Sequence, residues 1–379
     1  MTGPQIIVLA TPVFFALIGV ELAVGRARGR AGYRLNDALS SIGLGVMSQV
    51  AAVFTAALTL GIYAWVHERF AVGELSSTSP WTWLVGLVAY DFLYYWHHRA
   101  GHRVALFWAA HVVHHQSEDY NLSTALRQTS SGWLVGWVFY LPMAIAGFPP
   151  LVFATVALVD LLYQFWVHTA QVGRLGAFDR WVCTPSNHRV HHAVNDAYLD
   201  RNYGGVLLVW DRLFGSYVAE DPAIPCVYGT RAPLRSWNPI RANLQVYAEL
   251  GRDCWRTTSW LDKLRVWLKP PGWRPADVAA RWPKAPFVVA DLERFDPVAS
   301  SRRKALALCL FAVLLAATTF FLWHAHALGG RERVAFALAV MLGLYGVGRL
   351  SEGESTSDAT IDPFAAGALP TQAPPQASP

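Results

Sequence analysis

Apolar runs alternate with short polar segments along most of the chain. Residues 5–24 carry one charge, Glu21, and are long enough to cross a hydrocarbon core of about 30 Å. Two consecutive prolines divide a broken pair of apolar runs, 130–147 and 149–167, and predict a hairpin turn that either spans the membrane or enters it as a shallow re-entrant pair. The remaining apolar runs are 42–66, 81–96, 305–323 and 334–348. The pattern predicts an all-α protein with several membrane-spanning helices.

The composition supports this prediction. Hydrophobic residues make up 54% of the 379 positions and charged residues 15%, whereas a soluble domain has about 25% charged residues. So few charges could not cover the surface of a soluble enzyme. The formal charge of +5 comes from scattered arginines without a basic run, which argues against a nucleic-acid partner. The four cysteines are far apart and predict neither disulfides nor a thiolate zinc site.

The distribution of arginine predicts the orientation. Four arginines between residues 26 and 34 follow the first apolar run and place that loop in the cytoplasm, because positive charges near membrane ends resist translocation. Counting crossings from there returns the chain to the cytoplasm at His97 and, if the broken pair spans, keeps residues 168–304 there. The histidine clusters then share the cytoplasmic face. A bias towards Ala, Arg and Val suggests a bacterial inner membrane.

Four segments follow from the same pattern. Residues 1–80 form N-terminal membrane helices, 81–303 the domain that carries the histidines, and 304–350 a C-terminal membrane pair. Residues 351–379 are rich in Ser, Ala, Pro and Thr without an apolar period, which predicts a disordered tail. The amphipathic stretch 260–269 suits a helix in the headgroup region and, equally, a helix packed on its own domain.

Ten of the thirteen histidines lie between residues 97 and 192. Residues three, four, seven and eleven apart share one face of a helix, so Asp91, His98 and His102 form one stripe and His97 falls off it. Each of two HxxHH sequences presents its imidazoles together in the same way. The candidate metal ligands are His98, His102, His111, His114, His115, His168, His188, His191 and His192.

A metal explains this set better than packing does. Burying so many imidazoles without partners would cost several kcal/mol, and imidazole suits iron, zinc, copper and nickel. Eight or nine nitrogens exceed the four to six ligands of one ion, which predicts two ions. His168 stands alone and is favoured as a ninth ligand over a donor that orients a ligand.

Several acidic and polar residues are candidates for supporting roles. Asp91 precedes His98 by two turns and is expected to orient a ligand or to pair locally. Glu118 and Asn121 follow the first HxxHH sequence, so we expect them to contact ligands or the substrate headgroup, with helix capping as the alternative. Glu21 is expected to snorkel towards the membrane surface.

These motifs resemble a known family. The run from Asp91 to His102, the HxxHH sequence at 111–115 and the second HxxHH sequence at 188–192 resemble the fatty acid hydroxylase and sterol desaturase superfamily of membrane di-iron oxygenases. Further runs are similar to its alkylglycerol monooxygenase branch, namely 116–128, 162–169 and 202–215. The resemblance extends over residues 30–275.

The resemblance implies an O2-dependent monooxygenase with two iron ions. An electron donor, either a tetrahydropterin or a redox protein, supplies the electrons, although no segment specifies a pterin. The implied substrate is a lipid, the ether-linked carbon of an alkylglycerol, whose hydroxylated product breaks down to an aldehyde and glycerol. The same motifs serve hydroxylases and desaturases of sterol, fatty acyl, carotenoid and aminolipid substrates. A metal transporter would instead spread its histidines through the membrane depth.

Overall fold

The computed structural model of the chain describes residues 3–30 and 32–353, and the described chain is helical without β-strands. Its first seven helices are α1 (Gly3–Ala27), α2 (Leu35–Phe70), α3 (Pro80–Arg103), α4 (Ala105–His115), α5 (Leu122–Ala125), α6 (Leu141–Ile145) and α7 (Pro150–Trp166). The others are α8 (Pro185–His192), α9 (Val209–Leu213), α10 (Pro239–Arg256), α11 (Trp260–Leu268), α12 (Ala276–Arg281), α13 (Ser301–His324) and α14 (Gly330–Glu352).

Four of the described helices, α1, α2, α13 and α14, are long and apolar enough to cross a membrane. This confirms the prediction of an all-α, multi-pass membrane protein. The two C-terminal helices pack against each other and against α2, with Phe311 and Leu344 in one buried apolar cluster with Leu39. The predicted run 81–96 lies within α3, which continues to Arg103 and carries three histidines beyond the apolar part.

The broken pair forms a hairpin with only one long helical arm. The second run, 149–167, contains the 17-residue α7, but the first, 130–147, contains two short 3-10 helices and the five-residue α6. Two glycines and a proline interrupt the first arm, and both residue types disfavour a continuous helix. The turn still reaches the far end of α2, where the Val72 amide donates to the Ile145 carbonyl at 2.8 Å. Gly147 has a φ of +91° and lies against Gly73, where a side chain would not fit.

Contacts at the two ends of α2 show which segments lie at each end of the helices. Near its start, Asp37 accepts a hydrogen bond from the Ser117 hydroxyl, two residues after the last histidine of α4. Near its other end, the Tyr63 hydroxyl donates to the Phe148 carbonyl at 2.9 Å, in the hairpin turn. The histidines and the hairpin turn therefore lie at opposite ends of the helices.

Glu21 does not snorkel, so that expectation is wrong. Its side chain is only 6% exposed and accepts hydrogen bonds from the Leu122 amide at 2.8 Å and from the hydroxyls of Tyr33 and Thr169. These donors come from the first residue of α5 and from the segments that follow α1 and α7. The carboxylate therefore stays in the protein because folding brings three donors to it, and it fixes α1 beside the histidines.

Helix α11 packs against α4 through Val266, whereas most of the face that was predicted to be apolar is exposed. Val266 is 1% exposed and contacts Ala105 and Ala109 of α4. Trp260 is 82% exposed and Leu264 66%, which favours the headgroup location over packing of that face. The prediction of a disordered tail from residue 351 is wrong for Ser351 and Glu352, which are buried at the end of α14. Residues 354–379 of that predicted tail lie outside the described residues.

Replacing Glu21 by alanine should destabilise the protein, because the substitution leaves buried donors without an acceptor. We expect the free energy of unfolding to fall by about 2 kcal/mol, measured by unfolding of the full chain in detergent micelles. Glu68 is exposed at the end of α2, so Glu68→Ala is the matched control and should change stability by less than about 0.5 kcal/mol. Equal stability of the two variants would contradict the anchoring role.

Candidate metal centre

The nine predicted ligands come together in two groups. They lie at the C-terminal ends of α3, α4 and α8 and just after α7. Within each group, one ring nitrogen of every histidine lies within 4.8 Å of the corresponding nitrogen of the others. The five-histidine group consists of His98, His102, His111, His115 and His191. The four-histidine group consists of His114, His168, His188 and His192. His97 lies outside both groups, as its place off the stripe predicted, and its Nδ1 lies 3.2 Å from the Tyr140 hydroxyl.

Each HxxHH sequence contributes to both groups. Its first and last histidines join one group and the middle histidine joins the other, with His114 in the four-histidine group and His191 in the five-histidine group. Helical geometry explains this division, because successive residues are about 100° apart around the axis and neighbouring histidines diverge. The groups are adjacent, since the rings of His115 and His192 stack with centroids 4.3 Å apart. The sequence predicted shared faces but not this division.

The imidazoles turn their Nε2 atoms towards one another. In the four-histidine group, Nε2 of His168 lies 3.1 Å from that of His114 and 2.9 Å from that of His188. Two ligand nitrogens about 2.1 Å from a shared ion and at right angles would be about 3 Å apart. Nε2 of His102 and of His191 are buried without a hydrogen-bond partner. A metal would satisfy these atoms, so the donor set fits two ions bound by imidazole.

The opposite ring nitrogen of several ligands is held by the backbone. Nδ1 lies 2.8 Å from the Tyr203 carbonyl in His98, 2.8 Å from the Arg127 carbonyl in His114, and 2.7 Å from the Gln164 carbonyl in His168. A carbonyl accepts only from a protonated nitrogen, so these contacts place the proton on Nδ1 and leave Nε2 free to bind metal. Sequence reasoning missed these partners, because a backbone carbonyl has no residue-type signal.

One short loop supports three ligands of the five-histidine group. Besides Tyr203, it supplies the Arg201 carbonyl, 3.0 Å from Nδ1 of His191, and the Asp200 carboxylate, 3.6 Å from Nδ1 of His102. Asp200 and Asn202 have φ values of 58° and 56°, in the left-handed region that is costly for most residues. The side-chain amide of Asn202 stabilises this conformation, because its Nδ2 donates to the Asn187 and Val218 carbonyls.

Asp91 pairs locally instead of touching a ligand. It accepts hydrogen bonds from the Val206 and Leu207 amides and from Trp210 Nε1 at 2.7 Å. These donors follow the supporting loop, so Asp91 fixes that loop to α3. Its role in catalysis stays a prediction, and the contacts indicate an indirect one.

Glu118 and Asn121 also bond to the protein scaffold. Asn121 caps α5 by accepting from the Ser123 amide at 3.0 Å and donates to the Gly32 carbonyl. Glu118 accepts from the Phe295 amide at 2.8 Å, and burial raises the pKa of its carboxyl. The helix-capping alternative therefore describes the contacts of Asn121, and a catalytic role for either residue stays a prediction.

Burial keeps the histidines of α4 and α8 neutral. It lowers the pKa of His114 to about 4 and the pKa of His191 and His192 well below the usual value, with further lowering from neighbouring imidazoles. Neutral imidazole is the form that binds a metal. His114, His191 and His192 are therefore in the required protonation state at neutral pH.

A cavity of about 310 Å³ opens beside both groups. His98, His111, His114 and His168 line one end. Many of the remaining lining side chains are apolar, among them Phe14 and Phe15 of α1, Val46 of α2, and Leu315 and Leu322 of α13. The cavity thus connects the histidines to α1, α2 and α13, which are long and apolar enough to cross a membrane.

The chain is similar to a family of membrane oxidoreductases. Residues 83–216 match the fatty acid hydroxylase family model. Human alkylglycerol monooxygenase is 41% identical over 273 residues, which cover 72% of this chain and 61% of the relative. The enzyme of Xenopus tropicalis is 36% identical over 83% of this chain and 70% of the relative, and that of Danio rerio is 34% identical over 93% and 79%. No solved structure matches the chain.

The fold and the histidine site define a membrane protein of the fatty acid hydroxylase class, which confirms the resemblance found in the residues. Within that class, the chain belongs to the alkylglycerol monooxygenase family. The matched part spans less than two thirds of the human relative and more than two thirds of the other two. All nine histidines of the two groups fall within the matched residues 83–216.

Removing one ligand from each group should remove metal from that group. We expect about two ions of iron per wild-type chain and about one per chain in both His191→Ala and His188→Ala, measured by elemental analysis of detergent-purified protein. The control is His326→Ala, because His326 is exposed and outside both groups. Metal content equal to wild type in both group variants would show that the imidazoles do not bind it.

Proposed function

We propose that this protein is an O2-dependent monooxygenase that hydroxylates the ether-linked carbon of alkylglycerols. The observation that carries the proposal is the pair of adjacent histidine groups at a largely apolar cavity. The related alkylglycerol monooxygenases supply the substrate class, a glycerol ether lipid. Hydroxylation at that carbon yields a product that breaks down to a fatty aldehyde and glycerol.

The histidines would hold two iron ions, one in each group. Iron supplies the activation of O2 and the attack on an unreactive C–H bond, which no amino-acid side chain can perform. The contribution of the chain is to hold neutral imidazoles in a fixed orientation, and the carbonyls of Arg127, Gln164 and Tyr203 do so. Burial of both groups excludes bulk water from the site.

The cavity would bind the alkyl chain of the substrate. Residues of α1 and α13 line the part far from the histidines, including Ile7 and Leu322. Ile7 lies 14 residues before Glu21 in α1, a distance of about 21 Å along a helix. This arrangement places an apolar chain along the membrane depth and its polar end beside the histidines.

The electron donor in this proposal is a tetrahydropterin or a redox protein. The indirect roles of Glu118, Asn121 and Asp91 are to fix the segments that carry or support the ligands.

Residues 81–303 form the catalytic domain in this proposal, with membrane helices before and after it. Both the donor and these boundaries are part of the proposal and rest on the family.

The site faces the cytoplasm in this proposal, because the arginines around residues 26–34 and 302–304 lie at the histidine end of the spans. The relatives that show the family come from animals. These animal relatives do not support a location in a bacterial inner membrane. The proposed location is therefore an integral membrane protein, without a particular membrane.

Purified, iron-loaded protein should convert an alkylglycerol to the fatty aldehyde when O2 and a reduced tetrahydropterin are supplied. His114→Ala should lower turnover by about 100-fold or more. The variant loses a proposed metal ligand that the Arg127 carbonyl holds in a fixed orientation through Nδ1. The measurement is aldehyde formation by mass spectrometry. His326→Ala should retain activity.

Lipid analysis separates this proposal from the alternatives. A strain or cell line lacking the protein should accumulate ether lipids. Unchanged ether lipids together with missing hydroxylated or desaturated fatty acyl, sterol, carotenoid or aminolipid species would reject the alkylglycerol substrate and retain the oxygenase class. Unchanged lipids with altered metal content would favour a transporter.

Helix α11 is proposed to lie in the headgroup region at the histidine end. Brominated lipids that place bromine near the headgroups should quench Trp260 fluorescence in the full chain reconstituted in vesicles, because Trp260, Leu261 and Leu264 are exposed. Loss of that quenching in Trp260→Phe identifies the signal. Quenching equal in wild type and Trp260→Phe would place the helix away from the lipid.

A further inference from the structure

The surface of α3 carries an apolar stripe that leads towards the histidine end. Its members are three or four residues apart and share one face of the helix: Trp81, Val85, Val88, Phe92 and Trp96. All of them except Phe92 are exposed. The distance along the helix from Trp81 to Trp96 is about 22 Å. Such a stripe on a membrane protein faces lipid hydrocarbon, so the hydrocarbon layer is expected to end near Trp96.

Aromatic side chains of α9 and of the residue after it extend this stripe beyond α3. The ring of Phe92 contacts that of Trp210 with centroids 4.9 Å apart, and the ring of Trp96 contacts that of Phe214 at 4.8 Å. Phe214 follows α9 directly, and both Phe214 and Leu213 are exposed. The lipid-facing surface of α3 therefore continues onto α9.

A second segment with exposed aromatic side chains lies beside α9. Phe178 is 68% exposed and Trp181 is 61% exposed. The Leu208 amide donates to the Trp181 carbonyl at 2.9 Å, and Arg212 Nε donates to the Arg180 carbonyl at 2.7 Å. These contacts join the two segments and the end of the stripe into one surface, the aromatic–arginine patch, which consists of Trp96, Arg99, 178–181 and 212–214.

The charges that the aromatic–arginine patch exposes are positive. Arg180 and Arg212 are both exposed. Asp179, beside Arg180, is buried and accepts from the Leu175 amide at 2.8 Å. Asp211, beside Arg212, is buried and accepts from two backbone amides at 2.7 and 2.8 Å. The fold therefore turns both carboxylates into the protein and both guanidinium groups outwards.

This combination of side chains suits the boundary between hydrocarbon and headgroups. Aromatic side chains concentrate at that boundary, because their rings are amphipathic. Guanidinium groups bind phosphate through charge-assisted hydrogen bonds that are often bidentate. Arg99 begins this basic region, since its guanidinium lies 5.6 Å from the centre of the Trp96 ring, where the stripe ends. Continuity with the lipid-facing stripe favours a lipid phosphate over an acidic protein as the partner.

We propose that the aromatic–arginine patch binds anionic phospholipid headgroups at the histidine end of the membrane. Phe178, Trp181 and Leu213 enter the boundary of the hydrocarbon layer, while Arg180 and Arg212 bind phosphate groups. Anionic lipids are preferred, because each arginine near the membrane surface favours them over zwitterionic lipids. The patch shares no residue with the cavity or with α11, and the inference does not depend on the substrate of the enzyme.

The test labels the metal-loaded full chain in nanodiscs with a phosphatidylglycerol that carries a photoreactive diazirine next to its phosphate. Adducts are assigned to peptides by mass spectrometry. Wild type should carry adducts on residues 173–182 and 207–217. Unlabelled phosphatidylglycerol should suppress these adducts about 10-fold more effectively than phosphatidylcholine does, because only the former adds a net negative charge.

Paired substitutions test the arginines. Arg180→Gln with Arg212→Gln should lower labelling of both segments by about 10-fold or more, since each arginine contributes about 5-fold. Arg281→Gln with Arg331→Gln is the matched control, because it removes the same charge at exposed positions outside the patch. The control should label as wild type does. Metal content and size-exclusion profile identify folded variants.

A single substitution keeps the test decisive if the pair disturbs the fold. Arg212 packs over the Tyr217 ring at 4.0 Å, so its replacement could disturb α9. Arg180→Gln alone should then lower labelling by about 5-fold. Arg212→Lys, which keeps the charge, should retain most of the labelling.

Four outcomes overturn the proposal. The first is equal labelling in wild type and in the folded arginine variants. The second is equal suppression by phosphatidylcholine and phosphatidylglycerol. The third is suppression by inorganic phosphate at the concentration at which phosphatidylglycerol acts, which would assign the arginines to a free anion. The fourth is the absence of adducts together with cross-links between the patches of two chains, which would assign the surface to a second copy.

Discussion

The convergence of nine imidazoles, eight of them buried, is the constraint on which the rest of the structure depends. Their inward nitrogens approach to about 3 Å, and cations in the space between them would satisfy these nitrogens. Outward nitrogens are bound by backbone carbonyls, such as those of Arg127 and Tyr203. Four separate segments must therefore be held in register, and the polar contacts of Asp91, Asn202 and Glu21 achieve this.

The membrane determines where such a site can lie. Helix ends leave backbone groups and loops that can carry polar partners, whereas the middle of a spanning helix cannot. The histidines accordingly occur at the last turns of α3 and α4, just after α7 and in the short α8. Each of these positions lies at the same end of α2. The apolar cavity then extends from this polar end between helices that face lipid.

The sequence predicted well which histidines come together, and predicted their surroundings poorly. Helical spacing identified eight of the nine, because residues three and four apart share a side of a helix, whereas His168 stands alone in the sequence and was favoured separately. It could not divide them between two groups, since that depends on how α4 and α8 cross. Nor could it find the Gln164 carbonyl or the donors to Glu21, which tertiary packing brings together. The first arm of the hairpin was apolar enough to predict a helix, but its glycines and proline favoured turns.

The chemical and the lipid-binding parts of the protein come from different regions of the chain. All nine histidines, and the carbonyls that hold them, lie within the matched residues 83–216. The distant cavity wall comes from α1, α2 and α13, outside that range. Substitutions at Phe15 or Leu322 would therefore alter the cavity at a distance from the histidines. Tyr94 of α3 and Asp160 of α7 also line the cavity, but they lie inside the matched region, close to the histidine groups.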